Sequence, residues 1–413
     1  MTGRALGAVA GTRGPLVEAE LPFARVGDGV RVCARDAVVH ARVVALHASR
    51  AALAPFGAID GVAAGDRVAG DPSVLALPLG TPLLGRAIDA AGAPLDGRPA
   101  ARGRRVAADA RARAVAERRP CTALFHTGVR AIDGPLAFGR GARIGLFGAA
   151  GAGKSTLLDA ILRGAGADAV VVGLIGERGR EAERRLARLD ARTTLVCATA
   201  ERAAAERVRA AEIAFAQASA LRERGLDVLL VIDSLARIAA AARELALAAG
   251  EPAGRGGYPP SVFALLARLL EQAGAVGRGS VTLIATVLSD GPGDHDPVSE
   301  AARAALDGHL VLTTRLARAG RFPAIDLARS ASRTLADVAT AEHLEAARVV
   351  RAAVAALDES ADARSLGISP TGPFLARCLA HEAALEAFLR QGEAPSALTQ
   401  TLTALRALAD SLT

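Results

Sequence analysis

The chain has 413 residues, 51% of them hydrophobic and 23% charged, which excludes a disordered polyelectrolyte and provides enough apolar mass for two or three domains. Its formal net charge is +7, but acids and arginines are interspersed and no like-charge block exceeds RGRR at 102–105, so a mixed solvated surface is expected rather than a nucleic-acid face. Aromatics reach only 3%, and the four cysteines, Cys33, Cys121, Cys197 and Cys378, contain no CxxC pair, which argues against stacking platforms and against a zinc or disulfide framework.

Residues 1–78 carry short β-like runs, VRVCA (30–34) and VVHARVVAL (38–46) among them, broken by Gly, Pro and Asp at GDG, APFG and AGD. Closely spaced short strands predict a small antiparallel barrel or sandwich. A segment rich in Gly, Pro and Arg, GAPLDGRPAARGRR (92–105), leads into a second region assigned to residues 79–342. From about 142 the rhythm changes to apolar runs of strand length, ARIGLFG, AVVVGLIG, TTLVCAT, DVLLVID and SVTLIATVL, alternating with Ala- and Arg-rich helical stretches such as 201–224. Continuous apolar strands alternating with helices imply an α/β domain with a mostly parallel sheet covered on both faces, the architecture that places phosphate ligands at strand carboxyl ends. Residues 343–413 read as a small helical domain with a break at GISPTGP (367–373). Apolar runs are too short to span a bilayer and the N-terminus lacks a signal design, so a cytoplasmic protein, at most peripheral to a membrane, is expected.

The sharpest motif is GAAGAGKS (148–155), which fits the P-loop pattern GxxxxGK(S/T) between a predicted strand and a predicted helix. Gly148, Ala149, Ala150, Gly151, Ala152 and Gly153 supply a backbone able to curl its N–H groups around phosphate, and the helix N-terminus adds partial positive charge. Lys154 reaches the β- and γ-phosphates, Ser155 ligates Mg2+, and Thr156 continues the first turn. Lys154 is also the only lysine of the chain, which has no asparagine, one tyrosine and one methionine, a pattern of pressure on codon usage. Arginine serves wherever a generic cation suffices; a tight phosphate loop needs the compact ammonium. The spacing excludes the dinucleotide-binding pattern GxGxxG.

Asp233 ends the apolar strand VLLVID, where a carboxylate can face the P-loop and hold Mg2+ through water. Alone it would be an ordinary strand-ending aspartate; its separation from a P-loop gives it the metal role. GERGRE (176–181) also follows an apolar strand, making Glu177 a candidate general base and Arg178 a candidate γ-phosphate contact, although on spacing alone it reads equally as a surface cluster of ion pairs.

Resemblance separates those readings. HTGVRAIDGPLAFGRGARIGLFGAAGAGKSTLL, GERGREAE, LLVIDSLARIAAAARELALAAGEPAGRGGYPPSVF, LDGHLVLTTRLARAGRFPAID and SASR resemble the type III secretion ATPase family, with flagellar export ATPases and rotary ATP synthase catalytic subunits as relatives, and LVEAELPFARVGD resembles its N-terminal barrel. The likeness runs from about residue 3 to 345 in the family's motif order. It implies a RecA-like P-loop core, with ATP and Mg2+ as cofactors and a homo-hexameric ring with sites between subunits. It implies that Glu177 is the catalytic carboxylate, that Phe322 packs against adenine, and that Arg333 enters the neighbouring subunit's site as an arginine finger.

Implied partners are the ring itself, stalk and stator or regulator proteins of the secretion base, the export gate and chaperone–substrate complexes, with no nucleic acid, at the cytoplasmic face of the apparatus. The family's acidic loop corresponds to SDGPGDHDPVSE (289–300), read as structural near the subunit interface, and His295 and His309 read as loop or packing residues. Beyond residue 343 the chain departs from the family, reading AALDESADARSLGISPTG without the usual tyrosine, a departure expected to leave the nucleotide site untouched. LVEAELPFARVG and the short N-terminus favour the injectisome enzyme over its flagellar paralogue. The other readings are a nucleotide-binding ring subunit without turnover, which the intact GER glutamate opposes, and a ring-shaped nucleic-acid translocase. The latter expects stacking aromatics where residues 1–78 offer only Phe23 and Phe56.

Overall fold

Six strands, β1 (Ala5–Arg13), β2 (Leu16–Glu20), β3 (Gly29–Cys33), β4 (Val38–His47), β5 (Arg50–Pro55) and β6 (Arg67–Gly70), close into an antiparallel barrel in the order β1-β2-β5-β4-β3-β6. Val17 and Ala19, Val30 and Val32, and Val39, Ala41 and Val43 point inward at the strand period of two and form the barrel's own core. The computed structural model describes residues 5–47, 50–108, 113–288, 296–366 and 372–413. His295 with the rest of 289–295, and 367–371 of the GISPTGP break, lie outside the described residues.

After the barrel come β7 (Ala76–Leu77), β8 (Arg86–Ile88), β9 (Val106–Ala107), β10 (Arg118–Arg119) and α1 (Arg130–Asp133). The α/β alternation then runs β11 (Arg143–Gly148), α2 (Lys154–Gly164), β12 (Ala169–Ile175), α3 (Gly179–Leu186), β13 (Thr193–Ala198), α4 (Ala204–Arg222) and β14 (Asp227–Asp233). It continues through α5 (Leu235–Ala248), α6 (Pro260–Leu270), β15 (Gly274–Val276), β16 (Gly279–Leu288), α7 (Pro297–Ala305), β17 (Gly308–Leu312), α8 (Thr314–Arg318) and β18 (Ile325–Ser332). The sheet order is β18-β17-β11-β16-β14-β12-β13-β8, parallel from β17 to β8 with β18 antiparallel at one edge.

The apolar runs explain why this sheet is covered twice. Along β12, Val170, Val172 and Leu174 enter one core while Ala169, Val171 and Ile175 enter the other. The second core is closed by α4, α5 and α6, and α4 approaches closely because it is rich in alanine. A Cβ on Gly173 of β12 would stand 3.0 Å from the Ala214 Cβ, so glycine and alanine set that spacing together.

The polar residues of α4 hold the barrel and linker. Arg42 of β4 pairs with Glu212 at 2.7 Å, and Arg209 donates to the Leu75 carbonyl at 2.6 Å. Gln217, wholly buried, accepts from Gly80 N at 2.7 Å and donates to Gly80 O at 2.9 Å.

The first core includes Leu158 and Ile161 of α2. After the short α9 (Leu335–Val338), the helices α10 (Ala341–Ser365), α11 (Pro373–Ala380), α12 (Glu382–Leu389) and α13 (Leu398–Leu412) add Val350, Cys378, Leu385 and Leu405 to that same cluster. The C-terminal helices therefore pack on the P-loop side of the sheet. Among the described residues no helix is long and apolar enough to cross a membrane.

Gln217→Leu tests the attachment of the linker to α4. It strands a buried amide and a buried carbonyl of Gly80, so urea denaturation should report a loss of about 2–4 kcal/mol.

Candidate functional site

The register of the parallel strands aligns their carboxyl ends. β11 runs into the loop that starts α2, and Gly151 (φ +79°) and Gly153 (φ +93°, immediately before α2) take left-handed backbone that L side chains avoid. Gly148 is glycine for space, because a Cβ there would lie 3.0 Å from the Leu312 carbonyl of β17. Ala149 is half-buried, Ala150 is exposed and Ala152 is buried. Lys154 folds back over the loop and donates to the Gly148 carbonyl at 2.5 Å and the Ala149 carbonyl at 2.9 Å. Ser155 and Thr156 are exposed on the first turn of α2, whose opposite face buries Leu157, Leu158 and Ile161.

Asp233 ends β14, two inter-strand steps or about 10 Å from β11. Thr286, on the intervening strand β16 and paired with Leu146 of β11, donates to Asp233 Oδ1 at 2.5 Å. Leu174 of β12 pairs with Asp233, which brings Glu177 beyond the same strand ends. Gly176 (φ +71°) makes that turn, and a Cβ on it would meet Arg237 Cβ at 2.8 Å. The Glu177 side chain is 17% exposed and its Oε1 lies 3.8 Å from Arg237 Nε. Burial pushes its carboxyl above the usual glutamate range and the Asp233 carboxylate adds to this, while Arg237 and a hydrogen bond from Ser234 pull the other way. Arg178 is exposed and precedes α3.

Phe322, 42% exposed, stands with its ring beside Gly153, on a cleft of about 320 Å3 that it shares with Val129, Thr156, Gln391 and Glu393. The segment after α12 is tied in place: Gln391 N donates to the Phe322 carbonyl at 2.8 Å, and Gln391 Nε2 donates to the Gly128 carbonyl at 2.7 Å. The divergent C-terminal region thus reaches the candidate nucleotide site, contrary to the expectation that it leaves the site untouched. Its helices share a core with α2, and this contact between residues far apart in sequence has no local pattern.

One anticipated residue stands apart. Arg333 follows β18, whose Ser332 pairs with Gly308, and Gly308 pairs with Ile144 at the start of β11. By strand rise that is about 15 Å from the protein's own P-loop, at the other end of the sheet. Arg333 is exposed there, with its N–H on the Asp307 carbonyl at 2.8 Å. His309 packs edge-on against Phe147 with ring centroids 6.1 Å apart.

Sequence reading missed Thr286, Arg237 and Gln391. Thr286 had a weak signal, as one of three hydroxyls with Ser280 and Thr282 in the apolar run SVTLIATVL; Arg237 lay within the resembling stretch LLVIDSLARIAAAAR without being singled out, and Gln391 had no signal.

Residues 128–332 match the model of the ATP synthase alpha/beta family, nucleotide-binding domain. The chain is 40% identical over 430 aligned positions to the type 3 secretion system ATPase of Pseudomonas syringae pv. tomato, covering 99% of this chain and 95% of the relative. It is 42% identical to the flagellum-specific ATP synthase of Pseudomonas aeruginosa, over 86% of this chain and 81% of that protein. Among solved structures, the assembled ATPase EscN of the enteropathogenic E. coli type III secretion system superposes with a TM-score of 0.92 at 37% identity, covering 98% of this chain and all (100%) of that one. EscN in complex with its central stalk EscO superposes with a TM-score of 0.89, also at 37% identity, over 98% of this chain and 100% of that one.

Gly153→Ala forces a side chain into left-handed backbone at a cost of about 1–2 kcal/mol. Because this strain is present in the nucleotide-free fold, urea denaturation should report a loss of stability of about that size.

Proposed function

This chain belongs to the family of type III secretion ATPases and their flagellum-specific relatives, and from that premise we propose that it hydrolyses ATP, with Mg2+, at sites shared between subunits of a homo-hexameric ring that energises protein export. The observation that carries this reading is the convergence of the P-loop, Asp233 and the half-buried Glu177 on neighbouring strand ends.

Lys154 exchanges its two loop carbonyls for β- and γ-phosphate oxygens, which a mobile ammonium can do without reshaping the loop. Backbone N–H groups from Gly148 to Ser155 hold the remaining phosphate charge. The donors available to Mg2+ are the Ser155 hydroxyl and the Asp233 carboxylate, hard oxygens few enough to leave places for phosphate oxygens and water, which suits this ion. When bound, the ion neutralises charge on the phosphates. Glu177 accepts the proton of the attacking water, and its raised affinity for protons makes it a stronger base than an exposed glutamate. Arg178 contacts the γ-phosphate, and the aromatic face of Phe322 takes the adenine.

Arg333 belongs to the next subunit's site. Its place about 15 Å from its own P-loop supports that role, because a guanidinium there cannot serve the site on its own chain. Likeness to EscN with its central stalk EscO supports a central-stalk protein as partner, and the proposed place of work is the cytoplasmic face of the secretion apparatus. The translocase reading loses support, since Phe56 packs under the Arg209 guanidinium 5.8 Å away and leaves Phe23 as the exposed ring of its region.

Glu177→Gln should bind ATP with near wild-type affinity and lose at least about a hundredfold in turnover; undiminished phosphate release would overturn its assignment as base. The base must be unprotonated, so kcat/KM, which reports the free enzyme, should fall on the acid side with a midpoint above the ordinary glutamate range of about 4.3. Arg237→Gln removes a cation that lowers this affinity for protons, and should move that midpoint to still higher pH. For the shared site, Lys154→Ala and Arg333→Ala proteins should each be inactive and regain part of the activity when mixed, whereas mixtures as inactive as their components would argue against a finger in trans.

A further inference from the structure

Helix α3 starts two residues after Glu177 and extends about 12 Å, yet it contains no fully buried side chain. Its apolar contribution is confined to Ala182 and Leu186, with Leu189 just beyond, all only partly buried against the core. The Glu177 carbonyl accepts from Ala200 N at 3.0 Å, and the helix that follows has a polar anchor of its own. That anchor is Asp159 of α2, whose Oδ1 accepts from Arg185 Nη1 and whose Oδ2 accepts from Arg188 Nη1 at 2.8 Å. Asp159 and Arg185 are 15% and 14% exposed, so this pair is held away from most of the solvent, while Arg188 is 58% exposed and closes the outer side.

The position on α2 gives the contact its consequence. Asp159 comes four residues after Ser155, so the two share a helix face and lie one turn apart. One end of this single helical turn carries the hydroxyl assigned to the metal and the other carries the carboxylate that grips the Glu177 helix. Neither Arg185 nor Arg188 lies in a motif named above; Asp159 and Arg188 border the Phe322 cleft, whereas Arg185 stands outside it. We infer that Asp159 is a positioning residue for hydrolysis, a clamp that transmits the placement of the P-loop helix to Glu177 through Arg185 and Arg188.

The inference rests on the reading of Glu177 as base. ATP binding depends on the loop, on Lys154 and on the Phe322 cleft, which Arg185 does not line, so loosening α3 through Arg185 acts on turnover and leaves binding nearly intact. Displacement of a catalytic group by an ångström costs one to two powers of ten, so about a tenfold loss is expected.

The test uses the full-length protein with Asp159→Asn, Arg185→Gln, the two combined, and Asp159→Glu. Each of the first two should lower kcat about tenfold, and in Arg185→Gln, which lies outside the Phe322 cleft, KM for ATP and the affinity for a fluorescent ATP analogue should stay within about twofold of wild type. The combined variant should be no worse than either alone, because both remove one interaction, and Asp159→Glu should recover most of the turnover. Wild-type kcat in both single variants, losses that multiply in the combined one, or a lowered thermal midpoint with unchanged turnover per folded chain would each overturn the clamp. Glu177→Gln measured alongside separates the two levels. If it still hydrolyses ATP, the reading of the base falls and the clamp with it; if it is dead while Asp159→Asn is fully active, the clamp alone falls.

Discussion

The parallel register of β11, β16, β14 and β12 is the constraint on which the rest of the molecule depends. Because Leu146 pairs with Thr286 and Leu174 with Asp233, the strands finish side by side and their next residues meet at one edge of the sheet. A cluster of groups with strong preferences about charge is gathered there by hydrogen bonds made elsewhere. Thr286 shows the economy of this arrangement: on the strand between β11 and β14, it orients the Asp233 carboxylate without any loop being involved.

That edge places cations and carboxylates near one another and relies on the differences between them. Elsewhere arginine supplies positive charge in planar forks, as in Arg42 to Glu212 across the barrel seam and Arg185 with Arg188 about Asp159. Inside the P-loop a lysine is retained, curled over the loop on two carbonyls. A guanidinium is too broad to turn back in that space, so the one lysine of the chain marks the place where size, and not charge alone, is at issue.

Apolar packing then decides which distant segments reach the edge. The C-terminal helices bury Val350, Ala353, Leu405 and Leu412 in the core that α2 uses, and this brings Gln391 to the Phe322 carbonyl. Helix α3 is the reverse case, with little apolar anchorage and a carboxylate in its place. A well-buried helix moves as part of the core, whereas one held by an ion pair can be displaced at smaller cost, which suits the element next to a catalytic group.

The amino-acid sequence by itself pointed to the barrel, the alternating α/β core and the residues whose chemistry is local, the glycine loop, Lys154, Ser155 and the strand-end acid Asp233, whereas Glu177 read equally as part of a surface ion-pair cluster until resemblance singled it out. Those features are legible because strand period, turn glycines and a phosphate cradle are written within a few neighbouring residues. Resemblance supplied Phe322 and Arg333, which no local pattern singles out. Only the tertiary structure decided that Thr286, Arg237 and Gln391 border these groups, that Asp159 grips α3, and that Arg333 stands at the opposite end of the sheet from its own P-loop. The physical reason is the same for each: these contacts join residues tens to hundreds of positions apart, and their partners are chosen by sheet order and by which helices share a core, neither of which leaves a periodic trace in the chain.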